Sequence, residues 1–595
     1  MRSVHDLLTE WPALDVGGKR ARLLGTLRVS PGPLAAAIAA DISAVTAATS
    51  ALWRRDASLW SLDAATQDKI ANRLGWLASP ALMADSIDRV GAFAEGVKRD
   101  GFTHVVLLGM GGSSLAPEVL SRILGVARGW PQFQMLDSTD PAAVLAADTP
   151  VERTLYLLAS KSGTTIEPSS MAAHFRQRLQ ARVSRWADHF VAITDAGTEL
   201  SRRAEAEGFR DTFINPSDIG GRYSAVSFFG LVPAALMGHD LRAFVGWSLG
   251  MLSAADPGSV APNVSADTNP AAALGLAIGA AARAGRDKLT LLLPPALEPF
   301  GLWVEQLVAE STGKASKGVV PIAGESLAAP DRYAADRLFV RVSVQGEAPD
   351  TAIDSTVAGL RAAGEPVVDI EWPERAALGA EFVRWEVATA LAGAMLAVNP
   401  FDEPNVQQAK DATMVLLNQY KVEGRLANAC AERALPGGVG LALTSAARAA
   451  LGDQAEAVLT LLGEGDYFAL LAYVGPDHRL TEELQSLRNA VRDRTRAATM
   501  LGYGPRYLHS TGQLHKGGPN SGVFVLITAS PAEDLPIPGQ PFSFGTLELA
   551  QGLGDFASLE ESGRRALHVH LPRPDATLIR RLADALLLRL AQRSG

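Results

Sequence analysis

The chain has 595 residues, a formal net charge of −9 and one cysteine, Cys430. Hydrophobic residues make up 47% and charged residues 20%, ordinary globular usage that excludes a wholly disordered chain. The acidic balance, with no long run of Lys or Arg, excludes nucleic acid as the main partner, and a lone cysteine excludes a disulfide framework or a Cys-rich metal site. No uninterrupted apolar run reaches the ~18–20 residues of a membrane span. Asp6, Glu10 and Asp15 stand where a secretory signal would need an apolar core. These features predict a soluble, cytoplasmic protein of about four domain-sized units, with no membrane partner.

Residues 1–97 read as helical. Residues 35–52 are rich in Ala, Ile and Val, residues 63–77 carry apolar side chains at helical spacing after a Ser61 or Asp63 cap, and Trp53, Trp60 and Trp76 imply that this layer packs on something. From residue 98, short apolar runs at 103–108, 132–136, 154–159 and 189–194 alternate with helix-length stretches at 115–126, 167–181 and 199–207. That rhythm predicts a parallel sheet covered on both faces. After a stretch bearing Pro and Gly at 256–269, a second cycle follows, with strands at 288–293, 319–322, 338–344 and 367–372 and helices at 301–311 and 382–397. Residues 421–595 form a further block, with strands expected at 455–461, 467–473, 524–528 and 567–571 and helices at 482–500 and 576–591. The predicted class is α/β: two tandem doubly wound parallel-sheet domains (98–255 and 256–420), a helical N-terminal segment (1–97) and an α/β C-terminal extension (421–595).

Two loops follow strands in the first unit. Gly109-Met110-Gly111-Gly112-Ser113-Ser114 can turn tightly and present amides at a helix start, but Ser114 stands where a dinucleotide fingerprint needs Gly. Ser160-Lys161-Ser162-Gly163-Thr164-Thr165 packs four hydroxyls and one Gly ahead of Glu167 and Pro168. Each loop alone could be an ordinary turn, the second one with a Thr cap. Together, at the carboxyl ends of neighbouring strands, they point to phosphate binding. Gly313-Lys314-Ala315 fails as a nucleotide-binding loop, because Val308 and Ala315 occupy the required Gly and Ser/Thr positions.

Gln306 and Glu310, four apart, share a helix face, and a carboxylate beside Val308 and Ala309 is a candidate base if desolvated; otherwise it is a surface residue. Gly220-Gly221-Arg222 can aim an Arg into a cleft or hold a loop ion pair. Asn399-Pro400-Phe401-Asp402-Glu403-Pro404 reads as a turn before a helix, and Lys410 on that helix reads by itself as a solvated residue. Residues 502–522 are dense in Gly, hydroxyls, His and Lys. His568 and His570 alternate on a strand without the Cys or carboxylate partners of a metal site.

In order, Gly-x-Gly-Gly-Ser, Ser-Lys-x-x-Thr-Thr, Gly-Gly-Arg, Gln-x-x-x-Glu-Ser-x-Gly-Lys and Asn-Pro-Phe-Asp-x-Pro-x-Val-x-x-x-Lys, over residues 98–410, resemble the glucose-6-phosphate isomerase (phosphoglucose isomerase) family. Residues 53–77 and 503–522 look more like the isomerase portion of bifunctional transaldolase/phosphoglucose isomerase proteins. The resemblance implies two sugar-isomerase (SIS) domains, a homodimer, no cofactor, no metal and a small sugar phosphate as substrate. It implies reversible conversion of glucose 6-phosphate and fructose 6-phosphate through a cis-enediol, a step of glycolysis and gluconeogenesis. Ser113, Ser160, Ser162, Thr164 and Thr165 would hold the phosphate. Glu310 would be the base, Arg222 the stabiliser of the intermediate, Gln306 and Gly112 substrate-orienting groups, and Lys410 the group assisting at the ring oxygen.

Two departures stand out. No His lies between His239 and His478, so the ring-opening His of the family is absent, and Arg332 aligns with its position. Glu403 replaces a Gln. Ring opening then falls to Lys410 alone, to another group, or to His509 or His515 from a segment folded over the cleft. Alternatives are an isomerase that also takes mannose 6-phosphate, a non-catalytic SIS phosphosugar sensor, and a true transaldolase fusion. The last needs a separate barrel of ~250 residues that this chain does not supply.

Overall fold

The computed structural model describes residues 9–258, 264–426 and 433–593; Asp6 and Cys430 lie outside them. The N-terminal layer contains helices Ala35–Trp53, Ala64–Ala71 and Ser79–Arg99 and a short strand, β1 (Leu27–Ser30), that helical patterning did not predict. Asp63 caps the second helix by accepting from the Thr66 amide at 2.8 Å. The helix expected over 63–77 stops early, and Gly75–Leu77 is a 3-10 turn. There the Gly75 amide donates to the Asp218 carbonyl at 3.0 Å, a tertiary bond that a continuing helix would forfeit. Trp60 donates to the Ala390 carbonyl at 2.9 Å and Trp76 lies 5.2 Å from the Tyr223 ring, so the layer is fastened to the elements that carry the site. Gly32–Trp53 is long and apolar enough to cross a membrane by length and composition, although Asp41 interrupts its apolar run. In this fold it packs Val45, Thr49 and Leu52 inward, and its Asp41 pairs with Arg283 at 2.9 Å.

The first sheet contains β2 (His104–Gly109), β3 (Gln132–Leu136), β4 (Thr154–Ala159), β5 (Phe190–Asp195) and β6 (Asp211–Asn215). All its strands are parallel, in the order β3-β2-β4-β5-β6. Alternate residues feed different cores: Val105, Leu107, Leu155 and Leu157 one way, Val106, Leu108, Tyr156 and Leu158 the other. Burial on both faces is why these strands read as continuous apolar runs rather than alternating ones.

The second sheet contains β7 (Lys288–Leu292), β8 (Val320–Ile322), β9 (Arg337–Val344) and β10 (Val367–Trp372), in the order β8-β7-β9-β10. The N-terminal β1 adds to it antiparallel, with Leu27 opposite Ile370. The third contains β11 (Arg433–Leu435), β12 (Val439–Leu443), β13 (Tyr467–Tyr473), β14 (Ala498–Tyr503), β15 (Gly522–Ala529) and β16 (Arg565–Leu571). Its parallel part runs β14-β13-β15-β16, the winding found in both other sheets, with β12 and β11 added antiparallel at one edge. The extension is thus a third α/β unit built on the same plan.

Two expectations in this block fail. Residues 455–461 form a 3-10 helix. A short apolar run does not distinguish strand from helix by period, and here Val458 and Leu459 pack beneath the third sheet. The helix expected over 482–500 is His478–Thr495, closed by Arg496 at φ 62°, and Ala498 onward pairs with β13.

By the rule that open α/β sheets bind ligands outside their strand carboxyl ends, the first and third sheets should share a site, because those ends meet. Thr139 after β3 donates to Gln551 at 2.7 Å, and Arg506 after β14 pairs with Asp137 at 2.7 Å. On its other side the third sheet packs Tyr467, Ala469, Leu471 and Phe524 against Ala309, Val320, Ile322 and Ala409 of the second unit and the following helix.

Candidate active site

The first glycine loop owes its shape to neighbours as much as to its own turn. Gly111 has φ 53°, and a Cβ there would stand 2.8 Å from the His509 carbonyl oxygen. A Cβ on Gly112 would fall 2.0 Å from the Gly221 carbonyl oxygen. Only glycine permits the loop and the Gly220-Gly221-Arg222 turn to touch. Ser113 is buried in this loop, and the Ser114 hydroxyl donates back to the Gly111 carbonyl at 3.1 Å.

The second loop is a knot of hydroxyls. Ser160 and Thr165 share a hydrogen bond of 3.0 Å, Ser162 and Thr164 one of 3.2 Å, and the Gly163 amide donates to Ser160 at 3.1 Å. Thr165 stands at the cap position of helix Ile166–Gln180 without bonding its side chain to that helix, so a Thr cap is not made and the hydroxyl bonds Ser160 instead. The first amides of this helix point the same way. Lys161 turns aside to Asp195 and the Ser217 carbonyl. Ser162, Thr164 and Thr165 line a cavity of about 310 Å³ together with Glu167, Lys410, His509 and Gln551. Lys410 is exposed at this cavity.

Glu310 and Arg222 form a buried pair, Oε1 to Nη1 at 3.0 Å. Arg222 also donates to Ser311 at 2.9 Å, to Glu403 at 3.1 Å and to the carbonyls of Pro400 and Asp402, each at 2.8 Å. The Asn399–Glu403 turn therefore holds the guanidinium as well as starting helix Pro404–Glu423. Burial pushes the Glu310 carboxyl above its ordinary range; Arg222 opposes this and Glu403 adds to it. For Arg222, burial works against the charge, but Glu310 and Glu403 hold it firmly protonated. Lys314 is lowered to about 8, chiefly by burial and then by Arg222, while its Nζ donates to Asp402 at 2.8 Å. Gln306 Nε2 donates to Glu310 at 3.2 Å and to the His509 carbonyl at 2.8 Å, leaving its buried Oε1 without a partner.

The structure separates the two C-terminal histidines. His509 Nε2 bonds Glu167 Oε1 at 2.9 Å at the cavity wall. His515 is 1% exposed, bonded to Tyr467 at 3.1 Å and packed edge-on to Phe524 at 5.2 Å, away from that lining. Burial, then Lys516 and Arg564, keep it neutral. Arg332 sits on an exposed turn and donates to the Asp493 carbonyl at 3.0 Å, outside the cavity lining. His568 and His570 both bond Thr528, at 2.9 Å each.

Sequence reasoning passed over Glu167, reading it only as a helix opener. It is 4% exposed and also accepts from Gln551 at 2.7 Å. Burial pushes it up, but His509 and Lys410 outweigh that and hold it below the ordinary carboxylate range. Its place one turn beyond a hydroxyl loop was a usable signal; Gln551 offered none.

The family model described as Phosphoglucose isomerase matches residues 80–315. A glucose-6-phosphate isomerase from Parasynechococcus marenigrum is 30% identical over 407 residues, covering 59% of this chain and 73% of that one. One from a Synechococcus species is 29% identical over 415 residues, covering 60% and 77%. In fold, a hypothetical protein from Thermus thermophilus superposes with a TM-score of 0.55 at 24% identity, covering 67% of this chain and all of that one. The chain belongs to the phosphoglucose isomerase family.

Proposed function

We propose that the chain is a glucose-6-phosphate isomerase, interconverting glucose 6-phosphate and fructose 6-phosphate in glycolysis and gluconeogenesis. One observation carries this reading: the buried Glu310 carboxyl, raised by burial, lies 3.0 Å from a fully engaged guanidinium. A base of raised pKa removes a proton α to a carbonyl near neutral pH, and a fixed cation stabilises the charge that then develops.

In this reading the phosphate sits against Ser113, Ser160, Ser162, Thr164, Thr165 and the helix amides behind them. Glu310 takes the C2 proton of the open-chain aldose and returns it to C1, and Arg222 stabilises the enediolate. Gln306 and the Gly112 loop orient the sugar, and Lys410 serves the ring oxygen. Glu310→Gln tests this directly. Turnover of glucose 6-phosphate in a coupled assay should fall by a factor of about 10³ or more, with sugar-phosphate binding retained. Substantial residual turnover would remove Glu310 from the mechanism.

The family likeness also leads us to propose a homodimer in the cytoplasm, with neither cofactor nor metal; a monomer by light scattering would refute the first of these. The finer likeness to the isomerase portion of bifunctional transaldolase/phosphoglucose isomerase proteins is supported by residues 53–77 and 503–522. An assay for transaldolase turnover tests whether this chain has only the isomerase half.

A further inference from the structure

We propose that His509, carried in by the third α/β unit, is the acid–base group that opens and closes the sugar ring, with Glu167 fixing its tautomer. The inference rests on the isomerase reading above, which needs an open-chain sugar before Glu310 can act.

The second unit supplies no imidazole: residues 240–477 contain no His, and Arg332 is occupied on an exposed turn. The third unit supplies one at the right place. His509 lines the cavity that also holds Ser162, Thr164, Thr165 and Lys410. Glu167 Oε1 already accepts from the Gln551 amide, so the 2.9 Å contact with the same oxygen places an imidazole proton on Nε2. Glu167 is itself oriented by Gln551 at 2.7 Å, and Gln551 by Thr139 at 2.7 Å. In the neutral ring Nδ1 carries the lone pair, and it has no hydrogen-bond partner among the described residues. A carboxylate that fixes one ring nitrogen so that the other can exchange protons is the arrangement of an acid–base histidine.

The loop is built to hold this position. The His509 carbonyl accepts from Gln306, which also holds Glu310, and Gly111 leaves room for that carbonyl. Three residues earlier, Arg506 is anchored by Asp137 at 2.7 Å and Glu118 at 2.9 Å. A purely structural histidine would be packed as His515 is, sealed in an aromatic cluster; His509 is placed at the cavity instead.

The step balances with groups already present. As the C1–O5 bond of the pyranose breaks, its electron pair goes to O5, which takes a proton from the Lys410 ammonium. O1 gives its proton to His509 Nδ1 as the C1=O1 bond forms. Ring closure of the ketose runs the same transfers in reverse at C2.

The test separates ring opening from isomerisation by measuring exchange between the α and β anomers of glucose 6-phosphate, by magnetisation-transfer NMR. Glu310→Gln should lose isomerisation yet keep accelerating anomer exchange. Adding His509→Ala should cut that enzymatic exchange by about 100-fold or more, the scale of general acid–base catalysis, with sugar-phosphate affinity unchanged. His509→Gln, which keeps a donor for Glu167 but cannot shuttle a proton, should fail equally. Exchange within about threefold of the Glu310→Gln parent in either double variant would overturn the proposal. Isomerisation persisting in Glu310→Gln would instead refute the assignment of the base, leaving the anomer readout of His509 intact.

Discussion

Gly112→Ala is a small change with a large predicted effect. The new Cβ would lie 2.0 Å from the Gly221 carbonyl oxygen and 2.9 Å from the Arg222 amide nitrogen. Real Cβ atoms essentially never approach closer than 3.0 Å, so the glycine loop or the Arg222 turn must retreat by about 1 Å. Both partners in the clash are backbone, and the guanidinium behind them is committed to Glu310, Ser311, Glu403 and two carbonyls, so no flexible side chain can absorb the shift. A misplacement of about 1 Å in a catalytic group costs on the order of 100-fold in rate, or roughly 2.7 kcal/mol of transition-state stabilisation. Overpacking should add about 1–3 kcal/mol of destabilisation. The measurement is kcat/KM for glucose 6-phosphate beside a thermal melt. Gly221→Ala is the control, because no heavy atom lies within 4 Å of the Cβ it would gain. A folded Gly112→Ala protein with kcat/KM within about threefold of the parent would refute this reasoning, as would a Gly221→Ala variant damaged equally.

Arg222→Lys should lose turnover and about 3–5 kcal/mol of stability, because an ammonium cannot reach Glu310, Ser311, Glu403 and two carbonyls at once; a melt close to the parent's would contradict this. Lys410→Met should leave the melt unchanged, since the residue is exposed, while lowering turnover of the cyclic sugar by about tenfold or more; unchanged turnover would remove Lys410 from ring opening. Glu305 is raised to about 7 by burial, with Arg488 and the Ala323 amide opposing. A carboxyl whose folded pKa exceeds its unfolded one favours the fold below the unfolded value and loses that contribution as pH rises through the folded value. Denaturant melts should therefore show Glu305→Gln flattening the decline in stability between about pH 4.5 and 7 by up to roughly 3 kcal/mol. An unchanged pH profile would show that Glu305 does not titrate differently on folding.

Much of the fold was legible because burial on both faces of a parallel strand leaves a local mark. The runs at 132–136, 154–159 and 367–372 coincide with β3, β4 and β10. Elements stabilised mainly by tertiary pairing were not legible: β1 exists because it pairs with β10, and residues from 498 onward form a strand because they pair with β13 rather than continuing a helix. The chemistry divides along the same line. The hydroxyl loop, the glycine turns and Glu310 stand in short segments whose spacing by itself suggests an anion site and a base. The Glu167–His509 contact joins residues 342 apart, and Gln551 reaches Glu167 across 384, distances over which no local pattern operates. The sequence by itself determined the α/β class and the glycine and hydroxyl loops that follow strands of the first sheet. Only the tertiary structure decided that the C-terminal extension repeats the same winding, turns its strand ends toward the first sheet and brings one histidine to the cavity while sealing the other in the core. Side-chain burial and long-range pairing are set by how sheets pack on each other, and that packing is not encoded in any single stretch of chain.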